Sequence, residues 1–128
     1  MIDKFGKVMI YVNNPRDVAD FWIQQLKFTE RNVQRNENGI FSVEIAPGAM
    51  SDTSIVLFDK EFVRQMSPEI SMNAPSILFA SHDVEEMRNE LIKAGVVVGE
   101  IVVMGTVKTF NFSDIEGNYF AVEEISAG

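Results

Sequence analysis

The chain has 128 residues, of which 46% are hydrophobic and 23% charged, and this fits one globular domain with a sizeable core. Nineteen acidic and 11 basic residues give a formal net charge of −8, which disfavours binding to nucleic acid or to anionic lipid. The absence of cysteine excludes disulfides, thiolate metal sites and a cysteine nucleophile.

The first segment reads as a strand followed by a helix. Residues 5–12 alternate between two faces, with Val8, Ile10 and Val12 on one face and Lys7, Met9 and Tyr11 on the other. Asn14 is a good N-cap and Pro15 suits the first helical position. The helix then carries one apolar stripe, which predicts that it covers the valine-rich strand face. The stripe consists of Val18, Phe21, Trp22 and Leu26.

Three strands are predicted after this helix, at 29–35, 40–46 and 54–58. Asn38-Gly39 is a strong hairpin signal between the first two. Residues 60–75 break the pattern, allow a short helix around Phe62 and are interpreted as a linker.

A second strand and helix follow the linker. The strand covers residues 76–81, and the helix runs from about Asp83 to Ala94, with acidic residues in its first turn and Gly95 as its C-terminal cap. Three further strands are predicted at 96–104, 106–112 and 119–125.

The strand-helix-strand-strand-strand unit therefore occurs twice, which predicts an α+β domain. Module one covers about 1–59, the linker about 60–75 and module two about 76–128. Each sheet has one face under its helix and one free face. Two free faces turned toward each other would form a cleft, where a ligand belongs.

Three segments resemble the vicinal-oxygen-chelate superfamily of glyoxalases, bleomycin-resistance proteins and extradiol dioxygenases. Phe21-Trp22 with Leu26-Lys27-Phe28 is similar to its "FY…LGF" segment, Ala94-Gly95-Val96 to its "AGV", and residues 112–120 to its "F.DPDGN..E" ending. Lys27 replaces the usual glycine and Ile115 the usual proline. The resemblance implies paired β-α-β-β-β modules around a U-shaped cleft.

The resemblance also implies four positions that hold a divalent metal in the family's enzymes. They fall at Lys7, Ser76, Ala121 and one residue within Ile55–Phe58. None of these residues is a usual metal ligand, because a protonated lysine has no lone pair and apolar side chains have no donor atom. We therefore expect no metal and no cofactor, and read the single histidine, His82, as a capping or surface residue.

Alternation predicts a largely apolar pocket with a few polar groups. Its predicted lining is Lys7, Met9, Tyr11, Phe41, Phe58, Ser76, Leu78, Phe110, Phe112, Tyr119, Ala121 and Glu123. Several of the phenylalanines could instead fill the sheet interior. Lys7 and Glu123 could pair across the cleft, bind opposite charges of a ligand, or lie at a wet rim.

Several functions fit this pocket. The first is a metal-free protein that binds a small aromatic or amphipathic molecule without bond chemistry. The second is a metal-independent lyase, isomerase or hydrolase using Tyr11, Tyr119, Lys7 or Glu123 as acid and base. A metal-dependent glyoxalase or dioxygenase would need ligands from unexpected positions. A structural or regulatory partner with a vestigial cleft is a further class.

Localisation and partners are expectations as well. The N-terminus lacks a signal-peptide core and no apolar stretch is long enough to span a bilayer, so we expect a cytoplasmic protein. The family resemblance implies a homodimer. The apolar linker at 60–75 would then cover the cleft as a lid or contact the second subunit.

Overall fold

The computed structural model describes residues 1–125. The chain folds into two compact units. The first unit comprises Met1–Ala74, and the second begins at Pro75. The predicted second module runs to residue 128, and its last three residues lie outside the described part. Each unit contains a β-α-β-β-β repeat, so the predicted α+β fold class is confirmed.

The first unit is built around a four-stranded sheet. Its strands are β1 (Lys7–Val12), β2 (Thr29–Asn36), β3 (Gly39–Ala46) and β4 (Ser54–Asp59). They lie in the order β1-β4-β3-β2, with β1 and β4 parallel and the other neighbours antiparallel.

Helix α1 (Pro15–Leu26) covers one face of this sheet across β3 and β4. It begins as predicted, since the Asn14 side chain accepts a hydrogen bond from the Asp17 N–H at 3.1 Å. Val18 and Trp22 of the predicted stripe are fully buried. Lys27 ends the helix with φ +62°, the left-handed conformation that the family's usual glycine adopts without strain.

The second unit repeats this arrangement. Its strands are β5 (Leu78–Ser81), β6 (Val102–Met104), β7 (Val107–Ser113) and β8 (Tyr119–Glu124), in the order β5-β8-β7-β6. Helix α3 (Val84–Lys93) packs against β7 and β8 and is capped by Asp83, whose side chain accepts from the Glu86 N–H at 3.0 Å.

The predicted strand over 96–104 is wrong in its first part, because only Val102–Met104 forms a regular strand. Val98 makes an isolated bridge to Phe112, and the ladder then stops. The physical reason is that the Gly99 carbonyl accepts a 2.7 Å hydrogen bond from Arg88 Nε instead of continuing the ladder. The strand predicted from residue 76 likewise begins only at Leu78.

Helix α2 (Lys60–Met66) lies in the segment interpreted as a linker. The Asp59 side chain accepts from the Glu61 N–H at 2.9 Å and caps the helix. The helix packs against β4 and β1, so it belongs to the first unit. Among the helices of residues 1–125, none is long and apolar enough to cross a membrane.

Candidate functional site

Each sheet has one face covered by its helix, α1 or α3, and we call the opposite side the distal face. Strand alternation assigns residues to these faces. In the second unit, Phe110 and Val122 are directly paired and buried beneath α3. Their strand neighbours Thr109, Asn111 and Glu123 therefore belong to the distal face.

The distal face of the second unit is a broad apolar groove of about 590 Å³. Large apolar side chains lie exposed along it, with exposed fractions of 55% for Leu78, 50% for Val102, 65% for Met104 and 38% for Val107. Pairing brings them into rows across the sheet, since Leu78 pairs with Ala121 and Val102 with Thr109. The volume lies within the range of about 300–1,000 Å³ that is typical of small-molecule sites.

Five of the predicted lining residues line this groove or a smaller one beside it. Leu78, Ala121 and Glu123 line the groove itself. Ser76 and Tyr119 line a smaller groove of about 210 Å³ that shares Asn111 and Ala121 with it. Tyr119 is 60% exposed, so its ring and hydroxyl are available to a ligand.

The prediction that Phe110 and Phe112 face the same pocket is wrong. Both are 1% exposed and lie on the α3 side of β7. The Phe112 ring lies 5.8 Å from that of Phe120 and 6.3 Å from that of Phe79, measured between centroids. These aromatic contacts fill the core beneath the helix, which is where large apolar rings are most stable.

Sequence reasoning missed Thr109 and Asn111, which occupy the groove in place of the two phenylalanines. Alternation along β7 was the available signal, because Val107, Thr109 and Asn111 share one face whenever Phe110 and Phe112 share the other. The exposed Asn111 amide supplies both a donor and an acceptor on this face.

In the first unit, α2 covers part of the distal face. Met9, Tyr11 and Phe58 from the sheet meet Phe62 and Met66 from the helix around a pocket of about 220 Å³. This pocket is smaller than the groove of the second unit, because a helix occupies the corresponding surface.

Phe41 reaches this side through an irregularity in its strand. The register between β2 and β3 shifts between Gln34 and Arg35, which leaves Phe41 without a direct partner. Such a bulge re-aims a side chain. The Phe41 ring stacks on Phe62 at 4.6 Å with planes 8° apart and lies 5.5 Å from Phe58.

Lys7 lies on the distal face of the first unit and bonds within its own sheet. Its Nζ donates to Glu44 Oε1 at 3.2 Å, and Ser54 Oγ donates to Glu44 Oε2 at 2.7 Å. The hydrogen bond from Ser54 lowers the pKa of Glu44, with a further contribution from Lys7, against the opposing effect of burial. Lys7 thus has a partner within its own sheet, Glu44, which sequence reasoning missed.

The four positions that the family resemblance assigns to metal ligands do not fit a divalent ion. Leu78 lies two residues after Ser76 and pairs with Ala121. Met9 lies two residues after Lys7 and pairs with Val56. Val56 is therefore the counterpart of Ala121 in the first unit. The donor set is then an ammonium engaged with Glu44, one serine hydroxyl and two apolar side chains. Within residues 1–125, no three His, Cys, Asp or Glu side chains converge as a metal site would require.

Comparison with known proteins decides the family. The model of the Glyoxalase/Bleomycin resistance protein/Dioxygenase superfamily matches residues 4–122 of the 128. The chain belongs to this superfamily. No curated protein sequence matches it.

Solved structures share the superfamily fold with this chain. The antibiotic binding protein TnmS3 from Streptomyces sp. CB03234 is 22% identical with a TM-score of 0.77, and the alignment covers 98% of each chain. A superfamily member from Sphaerobacter thermophilus DSM 20745 is 21% identical with a TM-score of 0.78, covering 97% of this chain and 98% of that one. TioX from Micromonospora sp. ML1 is 13% identical with a TM-score of 0.78, covering 95% and 98%.

Proposed function

We propose that this superfamily member binds a small aromatic or amphipathic molecule on the distal face of its second unit, without a metal ion. The observation that carries the proposal is the apolar groove of about 590 Å³. Four large apolar side chains lie there with 38–65% of their surface exposed to solvent. An exposed apolar patch of this kind is typical of a binding surface.

The polar groups of the groove support a small-molecule ligand. Thr109, Asn111 and Glu123 lie among the apolar residues and would orient a bound molecule through hydrogen bonds. The chain resembles in fold a Streptomyces protein described as antibiotic binding, and this supports the same class of function here.

The binding experiment uses naphthylethanol, a neutral aromatic probe, with methyl NMR spectra of the wild-type protein. We expect saturable shifts of the Leu78, Val102 and Met104 methyl signals. Met104→Gln should weaken binding about three- to tenfold, because it replaces an apolar contact surface by a polar side chain. Ile92→Gln is the matched control, since Ile92 is 48% exposed on α3. Equal affinity of both variants, or no saturable shifts, would refute the proposal.

The proposal of metal-independent binding has its own experiment. Isothermal titration with zinc, nickel or ferrous ions should detect no stoichiometric binding, because the donor set contains a single hydroxyl and an ammonium already bonded to Glu44. One tightly bound ion per chain would contradict it.

We further propose that the protein acts as a homodimer. Large apolar side chains near its N-terminus support this, since Met1, Ile2 and Phe5 are exposed to solvent. Sedimentation velocity should then show a species of about twice the 14.4 kDa chain mass. A single species at the monomer mass would contradict this proposal.

A further inference from the structure

We infer that the Glu123 carboxylate makes the groove of the second unit selective for amphipathic molecules that carry a protonated amine. The inference rests on the proposed function and adds the chemical class of the ligand.

Glu123 is a half-buried residue of the distal face, and its carboxylate makes no hydrogen bond or ion pair within residues 1–125. Its direct strand neighbours are Ala80 and Thr109, neither of which carries charge. A carboxylate without a partner in such surroundings gains stability from an incoming cation.

The first unit also carries a carboxylate on its distal face, but Glu44 is already bonded to Lys7 at 3.2 Å and to Ser54 at 2.7 Å. Glu44 is therefore satisfied by its own sheet, whereas Glu123 is open to a ligand.

The basic residues of the second unit lie away from its distal face. Residues 75–128 contain nine acidic and three basic residues, a formal charge of −6 out of the total of −8. Arg88 bonds to Gly99 and lies 3.6 Å from Glu100, Lys108 bonds to Glu85, and Lys93 is in the last turn of α3. None of the three is on the distal face, so the surrounding field favours a cationic ligand and disfavours an anionic one.

The apolar surface beside Glu123 would hold the rest of such a molecule. Leu78 and Val102, 55% and 50% exposed, line the same groove as the carboxylate. An amine attached to an aromatic or aliphatic body could thus reach Glu123 while its body covers these side chains.

The experiment compares three probes that share one aromatic ring system: naphthylethylamine, naphthylethanol and naphthylpropionate. We expect the amine to bind the wild-type protein about three- to tenfold more tightly than the alcohol, and the propionate more weakly than the alcohol. Glu123→Gln should remove the preference, so that this variant binds the amine and the alcohol with equal affinity. Glu90→Gln is the matched control, because it removes the same charge from an exposed position on α3.

A second measurement on the wild-type protein needs no variant. The preference for the amine should shrink as sodium chloride is raised, because salt screens a partly exposed ion pair. If amine and alcohol bind equally, or if the preference survives Glu123→Gln, the inference is overturned while the proposed function stands. If no probe shifts the groove signals, both are refuted.

Discussion

Replacing Glu44 by glutamine should lower the free energy of unfolding by about 1–2 kcal/mol near neutral pH. The hydrogen bond from Ser54, a residue 3% exposed, goes to a charged acceptor, and such bonds contribute about 1.5–3 kcal/mol. The Lys7 side chain is 55% exposed, so its ion pair adds only about 0–1 kcal/mol. The Glu44 side chain is only 13% exposed, and the desolvation of its carboxylate opposes both contributions.

The effect of Glu44→Gln should also depend on pH in a defined direction. The hydrogen bond from Ser54, assisted by Lys7, lowers the pKa of Glu44 in the folded protein. The carboxylate's contribution is therefore fully present above the unfolded-state pKa of about 4.3 and is lost as the pH falls through the folded-state pKa. The stability difference between wild type and variant should shrink in acid.

Urea denaturation followed by circular dichroism, at about pH 7 and about pH 3.5, measures both effects. Glu37→Gln is the matched control, because this exposed residue in the β2–β3 turn loses the same charge. It should change stability by less than about 0.5 kcal/mol at either pH. A Glu44→Gln variant as stable as wild type at neutral pH, or a deficit unchanged in acid, would refute the reasoning.

Three further predictions concern stability and are measured by the same denaturation experiment. Lys27→Gly should raise the free energy of unfolding by about 0.5–1 kcal/mol, because glycine adopts the left-handed φ of +62° without strain. A loss of stability would show that Lys27 is not strained at this position. Phe110→Ala should lower the free energy of unfolding by about 3–5 kcal/mol, because it removes a buried ring from the core. Leu78→Ala, at a 55% exposed position, should lower it by less than about 1 kcal/mol. Similar losses in the two variants would contradict the sheet faces assigned to these residues. Asp114→Ala should lower the free energy of unfolding by about 1–3 kcal/mol, because the buried carboxylate accepts hydrogen bonds from two backbone N–H groups and from the Asn118 side chain. An unchanged stability would show that the turn does not depend on these hydrogen bonds.

Local sequence signals predicted the repeated unit and the covered sheet face. Asn14 and Pro15 mark the start of α1, and alternation along β1 separates Ile10 and Val12 from Met9 and Tyr11. These features depend on residues within a few positions of one another, since caps and strand faces are set by the local backbone. The residue types alone also predicted that the family's metal-ligand positions lack the usual donor atoms in this chain.

The detailed lining of the site required the tertiary structure. The pairing of Lys7 with Glu44 joins residues 37 positions apart, and the bulge that re-aims Phe41 arises from the register between two strands. The same holds for Glu123, whose neutral neighbours Ala80 and Thr109 come from two other strands. The sequence by itself determined the modules and their amphipathic faces, because these follow from short-range periodicity. Only strand order and register decided which side chains meet on those faces, because hydrogen-bonded pairing brings together residues that are distant along the chain.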